Sequence, residues 1–349
     1  MNPKVSIIIL NWNGWKDTIE CLESLYQITY PNYDVILVDN GSEDESIEKI
    51  KGYCNGEVPI ESKFFKYDPG NKPIKIIEYT REEAEAGGGK ENEIVDLPSN
   101  KKLIIIKNEK NYGFAEGNNI GMRYALKAFS PDYILLLNND TVVDKVFLEE
   151  LVKVAESDDK IGIVGSKIYY YDYNGRTDVI NFAGGKLVFW KGKSYNIGVN
   201  QIDEGQYNKL TKVDYVQGSC ILVRTKMIND VGMLDRSYFA YWEENDWCYR
   251  ANKAGFAVFY APKTKIWHKI AKSNKNSKNE YFIARNRFLF MKKHASKKQL
   301  IIFFIYFFIF QFWLTSGYYV LFNRSICRLF SLLKGVVDGL KIFFKRDCE

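Results

Sequence analysis

Histidine is nearly absent from this chain of 349 residues: there are two, His268 and His294. Any site that needs an imidazole must draw on these. Cysteine is sparse too, and its six residues (21, 54, 220, 248, 327 and 348) are scattered with no CxxC pair. That excludes a disulfide scaffold and a cysteine-based structural zinc site. The net charge is only +6, and no Lys/Arg-rich block interleaves with aromatics, so a nucleic-acid partner is excluded. No signal peptide opens the chain, because residues 1–4 run directly into an apolar segment. A reducing, cytosolic location is therefore expected for the N-terminal part. Of the eight prolines, four (59, 69, 73 and 98) fall between residues 51 and 102.

What is present is globular: 46% hydrophobic, 26% charged and a high 15% aromatic. The length suffices for one large domain or two ordinary ones. The chain is organised around 133–144, YILLLNNDTVVD, where an apolar run (133–137) stops abruptly at Asn138, Asn139 and Asp140. Such a run reads as a strand buried on both faces of a parallel sheet. Ligands of open α/β sheets bind beyond the carboxyl ends of the strands. Asp140 thus stands where a hard divalent cation and phosphates are expected, although Asn-Asn-Asp also makes an ordinary turn.

Around it the pattern is strand and helix in alternation: strands at 5–10 and 33–38, a helix at 18–26, and a capping box formed by Ser42 and Glu45 for a second helix. Residues 51–102 interrupt as an insertion at the sheet edge, with one strand near 74–79. The glycines at 87–89 lack the flanks of a phosphate loop and read as a flexible turn. A strand resumes at 103–107. A Gly/Asn-rich loop (111–121) opens a helix at 118–128, and a helix (146–156) and a strand (161–171) follow. Residues 178–199 read as a hairpin, 213–223 as a strand around Gly218-Ser219, and 235–255 as an acidic–aromatic loop with a helix. Two short strands (258–260, 264–267) and a helix (279–293) complete this part.

Residues 300–322 carry no charge and are long enough to span a bilayer. Residues 325–344 form an amphipathic segment suited to an interface. A buried pair of core helices is the alternative. Lys292, Lys293, Lys297 and Lys298 precede the apolar run, which favours a cytosolic start. The tail behind it is basic as well (Arg324, Arg328, Lys334, Lys341, Lys345, Arg346), which disfavours a single span. A re-entrant or in-plane segment with both ends cytosolic is expected, with Thr315, Ser316 and Gly317 as a place to bend.

Carboxylates gather where chemistry would sit: Asp39, Asp140, and the group Glu243, Glu244 and Asp246. Three acids this close repel, so at least one needs a raised pKa or a cation partner. A carboxylate tuned upward is what a general base requires, while acids also serve a helix N-terminus. His268 lies at a strand end and can complete a carboxylate–metal site. His294 is given no role. Arg285 and Arg287, in ARNRF, either grip a phosphate on an acceptor or make surface salt bridges.

In order, the chain shows N-W-N-G at 11–14, VDNGS containing Asp39, NYGFAEGNNIG at 111–121, N-N-D at 138–140, a Gly218 to Arg224 stretch, an acidic stretch at 243–255 and His268. These motifs resemble the family 2 inverting glycosyltransferases of GT-A fold, most nearly the rhamnosyltransferase-like branch. The resemblance runs from residue 5 to about 290 apart from the insertion. Singly the motifs are weak; seven in order are highly specific.

The resemblance implies an α/β, Rossmann-like, mostly parallel sheet flanked by helices, occupying 1–295 with 51–102 inserted. A C-terminal hydrophobic, helical, membrane-associating region would occupy 296–349. It implies that Asn11, Trp12, Asp39, Asn111, Gly113, Asn118 and Asn139 hold a dTDP- or UDP-linked sugar. Asp140 and His268 would bind Mg²⁺ or Mn²⁺. Glu244 aligns with the base; the pair reads Glu-Glu where the family has Glu-Asp, leaving Glu243 and Glu244 in competition, with Asp246 beside them. The family's aspartate pair at the metal is reduced to Asn139-Asp140. Trp242, Arg285 and Arg287 would meet a glycan or lipid-linked acceptor. The expected reaction is a single displacement with inversion, at the cytoplasmic face of the cell membrane. A non-catalytic sugar-nucleotide or glycan-binding protein is the alternative; a nucleotidyltransferase is disfavoured, because no Gly-rich basic loop follows the first strand.

Overall fold

The computed structural model describes residues 2–270 and 278–345, so Arg346 of the basic tail lies outside the described residues. The first half alternates: β1 (Val5–Asn11), α1 (Trp15–Leu25), β2 (Tyr33–Asp39), α2 (Ser46–Asn55), β3 (Lys75–Thr80), α3 (Arg81–Ala86), β4 (Lys102–Lys107), α4 (Gly113–Ala128) and β5 (Tyr133–Asn138), so that within 51–102, where the sequence predicts one strand and a break in the pattern, a helix follows that strand and the alternation continues. These strands lie in the order β3-β4-β2-β1-β5, all parallel. Ile7, Ile8, Leu37, Leu135 and Leu136 are buried, as the centre of a sheet covered by helices on both faces requires.

The second half is mixed. It contains β6 (Thr141–Val143), α5 (Phe147–Ala155), β7 (Ile161–Tyr170), β8 (Val179–Phe182), β9 (Gly185–Val188), β10 (Lys193–Asn196), β11 (Gln201–Ile202), β12 (Thr211–Lys212), β13 (Cys220–Arg224), α6 (Thr225–Val231), α7 (Glu243–Lys253) and β14 (Ala257–His268). β13 enters antiparallel between β5 and β7. β14 runs parallel to β7 and antiparallel to β6, and its register sets His268 opposite Thr141, one residue from Asp140. The sheet thus joins two ligand candidates 128 positions apart in sequence.

Several local expectations are corrected. Ser42 and Glu45 form no capping box. The Ser42 hydroxyl donates to Asp39 Oδ1 at 2.6 Å, and α2 starts at Ser46, whose N–H is met by Asp44. The second pair of short strands is one strand, β14, with an irregularity between Ala261 and Lys265. Residues 213–219 are not strand, because the chain breaks there to carry Gln217 and Ser219 to the end of β5. Helix α4 begins at Gly113 rather than 118. Its first N–H groups are satisfied locally by Asn111 Oδ1, which accepts from Gly113 N, and by distant partners, since the Phe239 carbonyl accepts from Phe114 N and Ala115 N. Such partners are invisible to local pattern.

The 51–102 segment is pinned by Glu23 on α1, whose buried carboxylate accepts from Tyr53, Lys72 and the Asp68 backbone. β3 is the sheet's edge, and the glycines at 87–89 form a turn after α3.

The chain ends in three helices, α8 (Lys278–His294), α9 (Lys297–Phe322) and α10 (Ile326–Phe344). α9 stays helical through Thr315-Ser316-Gly317, with π-type turns at Phe307–Gln311 and Tyr318–Phe322 on either side. α10 returns antiparallel, since Phe304 near the start of α9 touches Phe343 and Phe344 at the end of α10. α10 lies tight on α8: a side chain at Gly335 or Gly339 would collide with Tyr281 O or the Phe288 ring. These helices share a second apolar cluster with Tyr238 and Trp242, so they brace the acidic loop. The outer face of α9 is apolar and bare; Ile301, Trp313, Leu314 and Leu321 are 62–70% exposed. The buried pair of core helices is therefore not what forms.

Candidate functional site

A cavity of about 760 Å³ opens at the carboxyl ends of β1 and β5. Its floor is organised by Asp39. Asp39 Oδ1 accepts from Asn11 Nδ2 (2.8 Å) and Ser42 Oγ, and Oδ2 accepts from Ser42 N (3.1 Å). Asn11 Oδ1 in turn accepts from Thr18 Oγ1, with Asn139 Nδ2 donating to the same hydroxyl. Asn40 holds the next layer: its amide donates to Asn111 Oδ1 and Gly113 O, and its carbonyl accepts from Asn108 and Tyr112 N. Buried polar groups so fully paired fix loop positions.

At the end of β5, His268 Nε2 lies 3.1 Å from Asp140 Oδ1. Both side chains line the cavity. Among the described residues, Asp140 Oδ1 and His268 Nδ1 have no well-aligned hydrogen-bond partner. Burial pushes the Asp140 carboxyl up, but His268 and Lys269 outweigh it and hold it below the usual range. An octahedral cation with ligands at about 2.1 Å sets neighbouring ligands about 3.0 Å apart. The Asp140–His268 spacing fits that geometry. Among the described residues no group of three His, Cys, Asp or Glu side chains converges. A cation here would take its remaining ligands from phosphate oxygens and water, as Mg²⁺ ordinarily does.

The opposite wall is the loop before α7. Phe239 (φ 64°), Tyr241 (φ 69°) and Trp242 (φ 79°) all adopt the left-handed region, which costs of order 1–3 kcal/mol per bulky residue. Side chains of α8 hold them there. The fully buried Asn286 amide on α8 donates to the carbonyls of Tyr238 (2.8 Å), Ala240 (2.8 Å) and Tyr241 (2.7 Å). The strained loop aims Glu243 and Glu244 into the cavity, each with one oxygen lacking a hydrogen-bond partner among the described residues. Burial pushes Glu243 well up, with the charges of Glu244 and Asp246 adding to it. Burial pushes Glu244 up to about 7. Asp246 differs. Burial raises it, but His294 and Arg250 hold it below the usual range.

The structure therefore brings together Trp12, Asn111, Gly113, Asp140, Glu243, Glu244 and His268. Asn11, Asp39, Asn118 and Asn139 lie behind the wall in the hydrogen-bond network, and Asn118 donates to Phe114 O within α4. Asp246 points away, bound to Arg250 (2.7 Å), His294 (2.7 Å) and Tyr238. Trp242 is 6% exposed and packs on Phe290, away from any acceptor. Arg285 is spent on the carbonyls of Ser237 and Tyr238. Arg287 lines a different pocket. The sequence reading gave no role to Asn40, Asn286 or His294. Asn40 was visible inside VDNGS. Asn286 left one sign, an amide in a helix interior where it is disfavoured.

The Glycosyltransferase like family 2 model matches residues 92–287, more than half of the chain, and the Glycosyl transferase family 2 model matches 6–75. The low-salt glycan biosynthesis hexosyltransferase Agl10 of Haloferax volcanii is 26% identical over 57% of this chain and 63% of its own. The rhamnosyltransferase WbbL of Escherichia coli is 30% identical over 43% of this chain and 58% of its own. The chain thus spans about three fifths of the length of these relatives. Among solved structures, the mannosyltransferase PcManGT of Pyrobaculum calidifontis, in complex with GDP-Man and Mn²⁺, superposes with a TM-score of 0.55 at 13% identity, over 99% of this chain and 89% of that one. This likeness shows the GT-A fold. Matched across both halves of its sheet, the chain belongs to the family 2 glycosyltransferases.

Proposed function

We propose that this protein transfers a sugar from a dTDP- or UDP-linked donor to a glycan or lipid-linked acceptor, with inversion at the anomeric carbon. The observation that carries the reading is one cavity holding both a carboxylate tuned upward, Glu244, and the Asp140–His268 pair. Glu244 takes the proton from an acceptor hydroxyl. The hydroxyl oxygen attacks the anomeric carbon from the face opposite the nucleoside diphosphate, whose bond to the sugar breaks as the new one forms. Glu243 stays protonated beside it and keeps a second negative charge out of the cavity. Trp12, Asn111 and Gly113 line the donor side, and Asn11, Asp39, Asn118 and Asn139 hold that wall in place. Asp140 and His268 would hold Mg²⁺ or Mn²⁺, which offsets charge on the departing diphosphate.

Residues 1–295, with 51–102 inserted, form the transferase domain in this reading, and 296–349 the membrane-associating region. The bare apolar face of α9 rests in the cytoplasmic leaflet. The antiparallel return of α10 keeps both ends of the hairpin on one side, which satisfies the basic residues at each end. An acceptor that cannot leave the bilayer is then met at its surface.

The test is transfer and hydrolysis with a panel of dTDP-, UDP- and GDP-sugars, reading the anomeric configuration of the product by NMR. Binding of a donor without hydrolysis or transfer in any combination would replace the enzyme with a binding protein. A retained configuration would refute the single displacement.

A further inference from the structure

We infer that Arg287 and Lys193 form a second site, which holds the phosphate of an amphiphilic, lipid-linked acceptor where the α9–α10 hairpin meets the transferase domain. The inference rests on the acceptor class proposed above and names the residues that would grip its charge. Its basis is a pocket of about 170 Å³ between α8, α9 and the β9–β10 hairpin, separate from the catalytic cavity. That is room for about six waters at about 30 Å³ each, enough for a phosphate group.

Two cations, Arg287 and Lys193, face this pocket beside one carboxylate, Glu280. Among the described residues neither Arg287 nor Lys193 forms an ion pair, and Arg287 Nε is buried without a hydrogen-bond partner. Glu280, the carboxylate among the lining side chains, is engaged by the Tyr319 hydroxyl. Gln311 and Thr315 bond each other. Burial pushes the Arg287 guanidinium down to about 10, and burial together with Arg287 pushes Lys193 down. A buried, unpaired guanidinium is costly to keep. The Phe307 ring lies 5.5 Å from it. A dianion entering the pocket would relieve both cations at once, and a guanidinium fork suits phosphate oxygens.

The rest of the wall specifies what the phosphate is attached to. Phe307, Phe312 and Leu332 come from α9 and α10, whose outer faces are apolar and exposed, so a hydrocarbon chain has a surface to run along. On the other side, α8 connects the two sites. Asn279 and Phe282 line the catalytic cavity, while Ile283 and Arg287 line the pocket, about one helical turn further. A phosphate held by Arg287 would thus sit about one helical turn from α8 residues that line the catalytic cavity. The β9–β10 turn is locked in place to present Lys193. Gly192 has φ 55°, and a side chain there would strike Phe303 and approach Arg287.

The test is binding of dodecyl phosphate, in micelles of an uncharged detergent, to the full-length protein and to Arg287→Gln and Lys193→Gln, followed by calorimetry with no nucleotide present. Each variant is expected to bind about tenfold more weakly or worse, as loss of a charge-assisted contact implies, with inorganic phosphate far weaker than dodecyl phosphate for the wild type. Lys193 is half-exposed on a hairpin, so its variant keeps the test alive if Arg287→Gln fails to fold; thermal unfolding checks both. Wild-type affinity in a folded Lys193→Gln would overturn the site. Inorganic phosphate binding as tightly as dodecyl phosphate would overturn the lipid assignment. Equal affinity for phosphatidylglycerol would overturn the acceptor assignment and leave a headgroup site. Because no sugar nucleotide is present, a wild type that binds dodecyl phosphate yet hydrolyses no donor would count against the transferase reading alone.

Discussion

The Glu243–Glu244 pair makes a prediction about both rate and stability. Glu244 titrates near 7 in the folded protein because burial penalises its charge. A general base works only when ionised. With a pKa of about 7, roughly a tenth of the molecules hold the base ready at pH 6, against nearly all of them for an ordinary glutamate. The rate kcat/KM should therefore fall about tenfold per pH unit below pH 7. Glu244→Gln should lose about 10²–10⁴-fold in kcat and keep nucleotide binding. Glu243→Gln imitates the protonated neighbour and should leave the acid limb near pH 7.

The stability effect has a definite sign. Glu244's folded pKa lies above its unfolded one, so the folded state keeps a proton that the unfolded state has released. Stability is unaffected below about pH 4.5 and declines as pH rises from there to about 7. The decline totals about 3 kcal/mol at about 1.36 kcal/mol per pH unit. Glu244→Gln should thus be more stable than the wild type at pH 8, by up to about 3 kcal/mol, and no more stable at pH 4. Urea unfolding at the two pH values reads this directly. A wild-type acid limb below pH 5, or a dead Glu243→Gln beside an active Glu244→Gln, would refute the assignment of the base.

Asp140→Ala should lose both affinity for a nucleoside diphosphate and its dependence on Mn²⁺, with His268→Ala a milder version; calorimetry with and without the cation measures this, and unchanged cation-dependent binding in Asp140→Ala would remove it from the metal site. Asn286→Ala should cost about 2–4 kcal/mol by urea unfolding, since three loop carbonyls lose a buried donor, and should lower kcat more than nucleotide affinity. Replacing Ile301, Ile305, Trp313 and Leu321 by Gln on the outer face of α9 should move the protein from the membrane to the soluble fraction; retention in membranes would show that another surface anchors it.

Much of the fold was legible because its signals are local. The apolar runs of β1, β2, β4 and β5 are long, β-branched or leucine-rich, and end in polar residues, so strand, burial and functional edge could be read together. The long apolar stretch of α9 was equally plain. What could not be read depends on partners far along the chain. Helix α4 starts five residues early because the Phe239 carbonyl, 125 positions on, caps it. Ser42 fits a capping box on spacing but serves Asp39, a stronger acceptor already in place. The 213–219 segment reads as strand, yet it is drawn out of the sheet to line the cavity.

The same distinction explains the site. Residue types were readable, and division of labour was not. Spacing puts Glu243, Glu244 and Asp246 in one turn, but α7 sends the first two to the cavity and the third to the scaffold. What separates them is His294, at the end of α8, and Arg250, which claim Asp246, while among the described residues the two glutamates form no ion pair. Burial is what leaves Glu243 and Glu244 proton-hungry, while its partners hold Asp246 ionised. Arg285 and Arg287 divide in the same way. They are two positions apart on α8, so they point to different faces. One is consumed holding the strained loop that aims Glu244, and the other is left unpaired beside the helical hairpin. Asn286 lies between them and binds that loop itself. A single helix therefore braces the catalytic loop, lines the catalytic cavity and supports the hairpin, so a change in how α9 and α10 sit against α8 would reach the Glu244 loop through Asn286.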